Sequence, residues 1–187
     1  MTSTIFLPKP AGISKEFIIH PLLQPNKIEG RQYQDNIFAS IYGQDALVVL
    51  TMGLGKTIAA ILQAAERLTS LPESKVVLLA PTKPLAAQHQ KTFGELMNFT
   101  NDQLLLFTGS TPPTRGIKLW EGAKIVFMTL QVLQNDLKYN RYSLVDVSLL
   151  VFDEAHQAVG EYAYTGLATE YFKQAKNPRV LCITHII

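Results

Sequence analysis

The sequence predicts an α/β fold, in which a mostly parallel sheet carries helices on both faces. Short, continuous apolar runs recur along the chain, and most of them are followed by a segment with helical spacing of apolar residues. Strands of a parallel sheet are covered on both faces, so they read as uninterrupted apolar runs. Strands that alternate with helices build a layered α/β fold, with helices on each side of one sheet.

Composition indicates one sizeable domain. The 187 residues are 47% hydrophobic and 17% charged, which suffices for one core but is short for two. The formal charge of +2 is small, so nucleic acid would have to bind at a local patch. Neither a membrane-spanning run nor a secretion signal is present, which indicates a soluble intracellular protein. The single cysteine, Cys182, excludes an internal disulfide and a cysteine zinc cluster, and its apolar flanks predict a buried, inert thiol.

The predicted elements start after an N-terminal arm. Residues 1–30 show little periodicity, so we expect them to pack on the core as an arm, with residues 31–187 forming the domain. Residues 109–116 are rich in turn formers and predict a loop. Helices are predicted at 31–42, from 57 to about 68, and at 84–99, 131–137 and 167–175, and strands at 46–50, 76–79, 104–107, 125–128, 149–152 and 180–183.

Residues 46–57 have the pattern of a nucleotide-binding loop. An apolar strand runs into Gly53 and Gly55, and a helix follows from Thr57. Glycines let backbone N–H groups turn inward, and the helix adds its positive end, so an oligophosphate fits there. Lys56 would contact the β- and γ-phosphates, and the Thr57 hydroxyl would ligate Mg²⁺. The strict pattern begins with a glycine where this chain has leucine, and the alternative is a glycine-rich turn that merely ends a strand.

A pair of carboxylates follows a later apolar run. Asp153 and Glu154 come directly after Phe152, at the carboxyl end of a strand, where ligands collect in open α/β sheets. Asp153 would hold Mg²⁺ through water, and Glu154 could orient and deprotonate the attacking water. The alternative is an acidic pair that caps the next helix. The separate phosphate loop upstream and His156 just beyond favour the catalytic interpretation.

Hydroxyl and basic residues at other strand ends predict a nucleic-acid surface. Thr82 and Lys83 precede a helix, where hydroxyl, ammonium and helix N–H groups can hold a phosphate without reading base sequence. Thr108 with Gly109, and Thr129, repeat this arrangement at the next two strand ends. The alternative at each position is an ordinary strand-to-helix turn with a capping threonine.

Several other side chains are assigned structural roles. His20, His89 and His185 have no second ligand at metal spacing. Trp120 and Ile117 are assigned to the core rather than to a base-stacking platform. These assignments leave the phosphate loop and the acidic pair as the centre of the predicted chemistry.

The two central motifs resemble the first RecA-like domain of a superfamily 2 DEAH-type helicase. They read Gly53-Leu54-Gly55-Lys56-Thr57 and Asp153-Glu154-Ala155-His156. The resemblance implies a three-layer P-loop NTPase domain that binds ATP and Mg²⁺ and hydrolyses ATP with Lys56, Asp153 and Glu154. The other residues it implies are Arg31 and Gln34 for adenine, Met52, Gly53, Leu54, Gly55 and Thr57 for phosphates and metal, and His156 and Thr184 for coupling hydrolysis to DNA.

Three further stretches are similar to the archaeal Hef helicase and its eukaryotic Fanconi-anaemia relatives. They are residues 17–22, 131–137 and 154–164. This similarity implies ATP-dependent action on branched or forked DNA in repair, in the cytoplasm of an archaeon, with sliding-clamp or repair proteins as partners of the full-length protein. The second RecA-like domain is absent from these residues, and Thr184-His185-Ile186-Ile187 departs from the family's motif III. We therefore expect this chain to be nearly inactive by itself.

Two other functions remain open at this stage. Met52 replaces the usual threonine of the phosphate loop, as it does in Swi/Snf-like translocases, which suggests a remodelling or restriction-type translocase on duplex DNA. The lack of a second domain suggests a non-catalytic module whose interactions depend on nucleotide. Fork-specific unwinding would exclude the first, and detectable ATP hydrolysis would exclude the second.

Overall fold

The computed structural model describes residues 17–30, 32–51, 55–154 and 161–185, without the side chains of residues 32–35, 113, 161–163 and 185. In these ranges helices and strands alternate along the chain, as predicted. The elements are α1 (Gln32–Ile41), β1 (Ala46–Leu50), α2 (Lys56–Ser70), β2 (Lys75–Ala80), α3 (Lys83–Leu96), β3 (Leu104–Leu106), α4 (Pro113–Gly122), β4 (Ile125–Thr129), α5 (Leu130–Lys138), β5 (Val147–Asp153), α6 (Glu161–Gln174) and β6 (Val180–His185).

The described strands form one parallel sheet of six, in the order β1-β6-β5-β2-β4-β3. Alternate residues of the inner strands enter two separate apolar cores, whereas Leu47 and Val49 of the edge strand β1 are exposed. In β2, Val76 and Leu78 face the core that α2 and α3 cover, whereas Val77 and Leu79 face the core that α4, α5 and α6 cover. The predicted three-layer fold is confirmed. Because all the strands are parallel, their carboxyl ends lie along one edge of the sheet.

One helix was missed from the sequence. The loop predicted at residues 109–116 is wrong from Pro113 onward, because α4 begins there. Proline is favoured in the first turn of a helix, where its missing N–H costs nothing, so the Pro112-Pro113 pair starts a helix here. Trp120 is buried and stacks on Tyr142 with ring centroids 3.9 Å apart, as its core assignment predicts. Ile117 is 41% exposed, so its core assignment is wrong.

The described part of the N-terminal arm packs on the end of α3. Leu23 is buried and forms a β-bridge with Met97. The Gln24 N–H donates to the Leu96 carbonyl, and the Asn98 N–H donates to the Leu22 carbonyl, both at 2.9 Å. Residues 1–16 lie outside the described ranges, so the division of the chain at residue 30 stays a prediction.

Buried cations at the amino ends of the strands are bound to backbone carbonyls. From α2, Arg67 donates to the Ser148 carbonyl at 3.0 Å and to the Asn177 carbonyl at 2.6 Å. Lys75 of β2 donates to two carbonyls at the end of α4, at 2.9 and 3.0 Å. Burial lowers the pKa of Lys75. These contacts tie helices on both faces to the sheet.

Among the described helices, none combines the length and apolar character needed to cross a membrane. Cys182 of β6 is half-buried rather than fully buried. Burial still raises the pKa of its thiol, which makes the reactive thiolate less accessible.

Candidate active site

The helix that follows the predicted phosphate loop begins at a glycine in the left-handed conformation. Gly55 has φ +82° and is the N-cap residue of α2. A side chain here would be strained, and glycine also has no side chain that could cap the first N–H groups of α2. This geometry agrees with the predicted role of Gly55. Met52, Gly53 and Leu54 lie outside the described residues.

The lysine of the loop and the second carboxylate of the acidic pair are in contact. Lys56 Nζ donates to Glu154 Oε1 at 2.7 Å, and the two side chains are 14% and 16% exposed. Glu154 itself has φ +48°, a left-handed conformation that is rare for a residue with a side chain. Residues far apart in sequence are thus brought together beside the start of α2, as the predicted site requires.

The first carboxylate of the pair is buried and has a partner that was not predicted. Asp153 ends β5 and is 5% exposed. Its Oδ2 lies 2.6 Å from Nε2 of His89, which is 8% exposed on α3. His89 was assigned a structural role because no second metal ligand lies near it in sequence. The signal that could have revealed it is its position on the buried side of α3, between Ala86 and Phe93.

The oxygen donors at this edge suit a magnesium ion that arrives with phosphates. Thr57 offers a hydroxyl from the first turn of α2, and Asp153 offers a carboxylate. Mg²⁺ prefers such oxygen ligands and usually keeps several waters, so it needs few protein ligands. Among the described residues, no group of three or more His, Cys, Asp or Glu side chains could hold a metal by itself. The donor set therefore fits Mg²⁺ better than a transition metal.

The predicted nucleic-acid residues lie at the same edge of the sheet, but their hydroxyl groups differ in their bonds. Thr82 caps α3, because its Oγ1 accepts a 3.4 Å hydrogen bond from the Leu85 N–H. Thr108 Oγ1 lies 2.8 Å from Ser110 Oγ within a turn. Thr129 is the N-cap residue of α5 and makes no capping bond with its side chain. Lys83 is exposed in the first turn of α3, and Gly109 is exposed beside Thr108.

The remaining predicted residues divide into two groups. Arg31, His156 and the side chain of Gln34 lie outside the described residues. Thr184 lies near the carboxyl end of β6, is 9% exposed and pairs in register with Val49 of β1. It therefore shares the edge of the sheet with the other site residues, although its coupling role stays a prediction.

Comparison with known families agrees with this geometry. Residues 31–184 match the DEAD/DEAH box helicase family. The chain belongs to that family. It is similar to a putative ATP-dependent RNA helicase of Methanocaldococcus jannaschii, with 38% identity over 155 residues, which is 83% of this chain and 20% of that protein. It is also similar to the Fanconi anemia group M protein homolog of Mus musculus, with 34% identity over 162 residues, 87% of this chain and 8% of that protein.

Solved structures of helicase domains have the same fold. The Pyrococcus furiosus Hef helicase domain matches with a TM-score of 0.83 and 46% identity, over 87% of this chain and 34% of that chain. The yeast DEAD-box splicing factor Prp28 matches with a TM-score of 0.69 and 20% identity, over 85% of this chain and 41% of that chain, which supports the fold alone. The resemblance to Hef and its Fanconi-anaemia relatives is confirmed. This DEAD/DEAH box domain spans a fifth or less of the length of the two relatives.

Proposed function

We propose that this chain is the ATP-binding domain of an ATP-dependent DNA helicase or translocase of the Hef type, which acts on branched or forked DNA in repair. The observation that carries the proposal is the 2.7 Å contact between Lys56 Nζ and Glu154 Oε1. It joins the phosphate loop to the acidic pair at the edge of the sheet where α/β folds bind ligands. The match to the DEAD/DEAH box helicase family supports the same conclusion.

Lys56 would exchange its carboxylate partner for phosphate when ATP binds. A triphosphate carries more negative charge than one carboxylate, and the N–H groups at the start of α2 add to its stabilisation. The exchange would release Glu154 to accept a proton from the attacking water. The left-handed backbone at Glu154 supports this role, because such strain is concentrated at functional sites.

Thr57 and Asp153 would hold Mg²⁺ beside this lysine. The bound ion would neutralise charge on the phosphates, as it does in other P-loop enzymes. Asp153 is fixed at the end of β5, so its carboxylate stays at this edge when the side chains around it move.

Thr82, Lys83, Thr108, Gly109 and Thr129 would bind the nucleic-acid backbone. A phosphate-only contact of this kind serves DNA and RNA alike, and the relative from M. jannaschii is named an RNA helicase. We propose DNA because several relatives that are 32–36% identical over most of this chain are named ATP-dependent DNA helicases. Fork specificity and repair partners, including sliding clamps, extend this proposal to the full-length protein.

A second RecA-like domain would have to complete the catalytic site. Arg67 and Arg179 lie at the amino ends of the strands, where Arg67 binds backbone carbonyls and Arg179 pairs with Glu66. Arg141 pairs with Asp136 beyond the end of β4. These contacts give three arginines partners within this domain. By the resemblance to superfamily 2 helicases, the arginine that neutralises charge on the transferred phosphoryl would come from the other domain. Such a finger increases the rate by about 10³–10⁵.

Phosphate release and strand separation test the proposal together. We expect residues 1–187 alone to bind ATP weakly and to release phosphate very slowly, with or without forked DNA. When the chain is joined to a second RecA-like domain, forked DNA should stimulate phosphate release and be unwound. Fork-independent stimulation by plain duplex would favour the translocase, and stimulation by RNA alone would contradict DNA as the substrate. Nucleotide binding without hydrolysis in the joined protein would favour the interaction module.

A further inference from the structure

A buried contact between α3 and β5 lies beside the residues of the proposed reaction. The Nε2 atom of His89 is 2.6 Å from Oδ2 of Asp153, and both side chains are almost fully buried. A carboxylate can only accept a hydrogen bond, so the histidine donates through Nε2–H. The histidine therefore binds one carboxylate of the acidic pair, whereas the lysine of the phosphate loop binds the other, that of Glu154.

We propose that His89 is a positioning residue, which holds Asp153 in one orientation so that its second oxygen is directed to the Mg²⁺ that accompanies ATP. The inference rests on the proposed function. An aspartate side chain rotates easily about its terminal torsion, because that torsion has broad energy wells. A donor fixed at one oxygen removes this freedom before the metal binds. Hydrogen bonds of this type to metal-binding carboxylates raise affinity about 10–100-fold.

The position of His89 is itself fixed by packing. Ala86 and Phe93, one turn to either side on α3, are both fully buried. Phe93 packs edge-to-face on Phe127 of β4, with ring centroids 5.1 Å apart. The next residue, Gln90, donates through Nε2 to the Leu104 carbonyl at 2.7 Å. The imidazole is therefore held by a helix that is anchored to two strands, as a positioning group requires.

A purely structural role makes a different prediction from a positioning role. Any buried carboxylate needs a hydrogen-bond partner, and losing that partner lowers the free energy of unfolding. If the contact is only structural, its loss would lower stability without changing how much Mg²⁺ is needed for nucleotide binding. If the contact positions Asp153, loss of the donor at the Nε2 position would raise the Mg²⁺ concentration needed for nucleotide binding.

The test measures the Mg²⁺ concentration that gives half-maximal binding of a fluorescent ATP analogue at constant pH. His89→Leu removes the donor, whereas His89→Gln keeps an amide N–H at a similar reach. We expect His89→Leu to raise the half-maximal Mg²⁺ concentration about tenfold and His89→Gln to stay within about threefold of wild type. Thr92→Val is the matched control, because it removes a side-chain hydrogen bond within the same helix, from Thr92 Oγ1 to the Gln88 carbonyl at 3.0 Å, and should leave the Mg²⁺ requirement unchanged.

Each outcome either supports or overturns the inference. An unchanged Mg²⁺ requirement in His89→Leu, with lower stability alone, would assign His89 a structural role. An equal increase in His89→Gln and His89→Leu would show that the Nε2 donor is not the cause. If His89→Leu does not fold, His89→Asn replaces it, since its shorter amide cannot reach Asp153 Oδ2. If wild type shows no Mg²⁺-dependent nucleotide binding, the proposed function fails and this inference fails with it.

Discussion

Buried or half-buried cations lie at both ends of the sheet, and the partner of Lys56 differs in kind from the partners of Arg67 and Lys75. At the carboxyl ends, Lys56 is paired with another side chain, that of Glu154. At the amino ends, Arg67 and Lys75 donate to backbone carbonyls. A side-chain partner can rotate away in favour of a ligand, whereas a carbonyl of a strand, turn or helix end cannot move without disrupting that element. For these three cations, the kind of partner therefore indicates that Lys56 is available for a ligand, whereas Arg67 and Lys75 stabilise the fold.

Two residues beside the proposed site, at the carboxyl edge, also have an unusual backbone conformation. Gly55 and Glu154 have left-handed φ values at the carboxyl edge. Glutamate pays a steric penalty there, which glycine avoids, and such strain is concentrated at functional sites. The difference between side-chain and carbonyl partners, together with the strain at Glu154, predicts two kinds of effect. Substitutions of Lys56 and Glu154 should change binding or turnover, whereas substitutions of Arg67 and Lys75 should change stability.

The largest effect is expected for Glu154→Gln. The amide can still position a water but cannot take its proton, so turnover in a protein with both RecA-like domains should fall about 10²–10⁴-fold. Binding of Mg·ATP should be retained, because the substitution weakens only the ion pair with Lys56, and the lysine can still bind the phosphates. Steady-state phosphate release and nucleotide titration measure the two effects. Turnover near wild type would show that another residue is the base.

Arg67→Met should produce the largest loss of stability. Methionine fills a similar volume but leaves the Ser148 and Asn177 carbonyls without their donor, and each unsatisfied buried group costs about 1–3 kcal/mol. We expect the free energy of unfolding in urea to fall by about 3 kcal/mol. Nucleotide affinity should stay within about twofold of wild type. A large loss of affinity in a folded variant would contradict the separation between the two ends.

Lys56→Ala should show the opposite behaviour. Nucleotide affinity should fall at least about 100-fold, or about 2.7 kcal/mol, because the substitution removes the positive charge that would contact the β- and γ-phosphates. Fluorescent-nucleotide titration measures this loss. Lys91→Ala is the control, since Lys91 is exposed on α3 and makes only a loose 3.9 Å pair with Glu95. Equal affinities in both variants would remove Lys56 from the site.

The smallest effect is expected for Lys75→Met. The substitution removes the donor from the two carbonyls at the end of α4, so the free energy of unfolding should fall by about 1–2 kcal/mol. Chemical denaturation measures this change, and nucleotide affinity should not change. An unaltered midpoint would show that water replaces the lysine at the end of α4.

The sequence was informative wherever chemistry follows from local order. Lys56, Asp153 and Glu154 could be identified because each lies at the carboxyl end of a strand or shortly after it, and strand ends of a parallel sheet meet at one edge. The contact between His89 and Asp153 could not, because it depends on which strands α3 covers. Helix α4 was missed because proline favours both turns and helix starts. Nothing in the local sequence indicates a left-handed backbone at Glu154, because glutamate rarely adopts that conformation.

The most direct test of the account is thermal or chemical unfolding of wild type and Lys56→Ala, each with and without saturating Mg·ATP. A ligand at about 100 times its dissociation constant stabilises the folded state by about 2.7 kcal/mol. We predict this gain for wild type. Lys56→Ala should unfold within about 1 kcal/mol of wild type without nucleotide and gain almost nothing when Mg·ATP is added. A variant that is strongly destabilised without nucleotide, or that keeps the full gain, would contradict the claim that Lys56 is held for a ligand rather than for the fold.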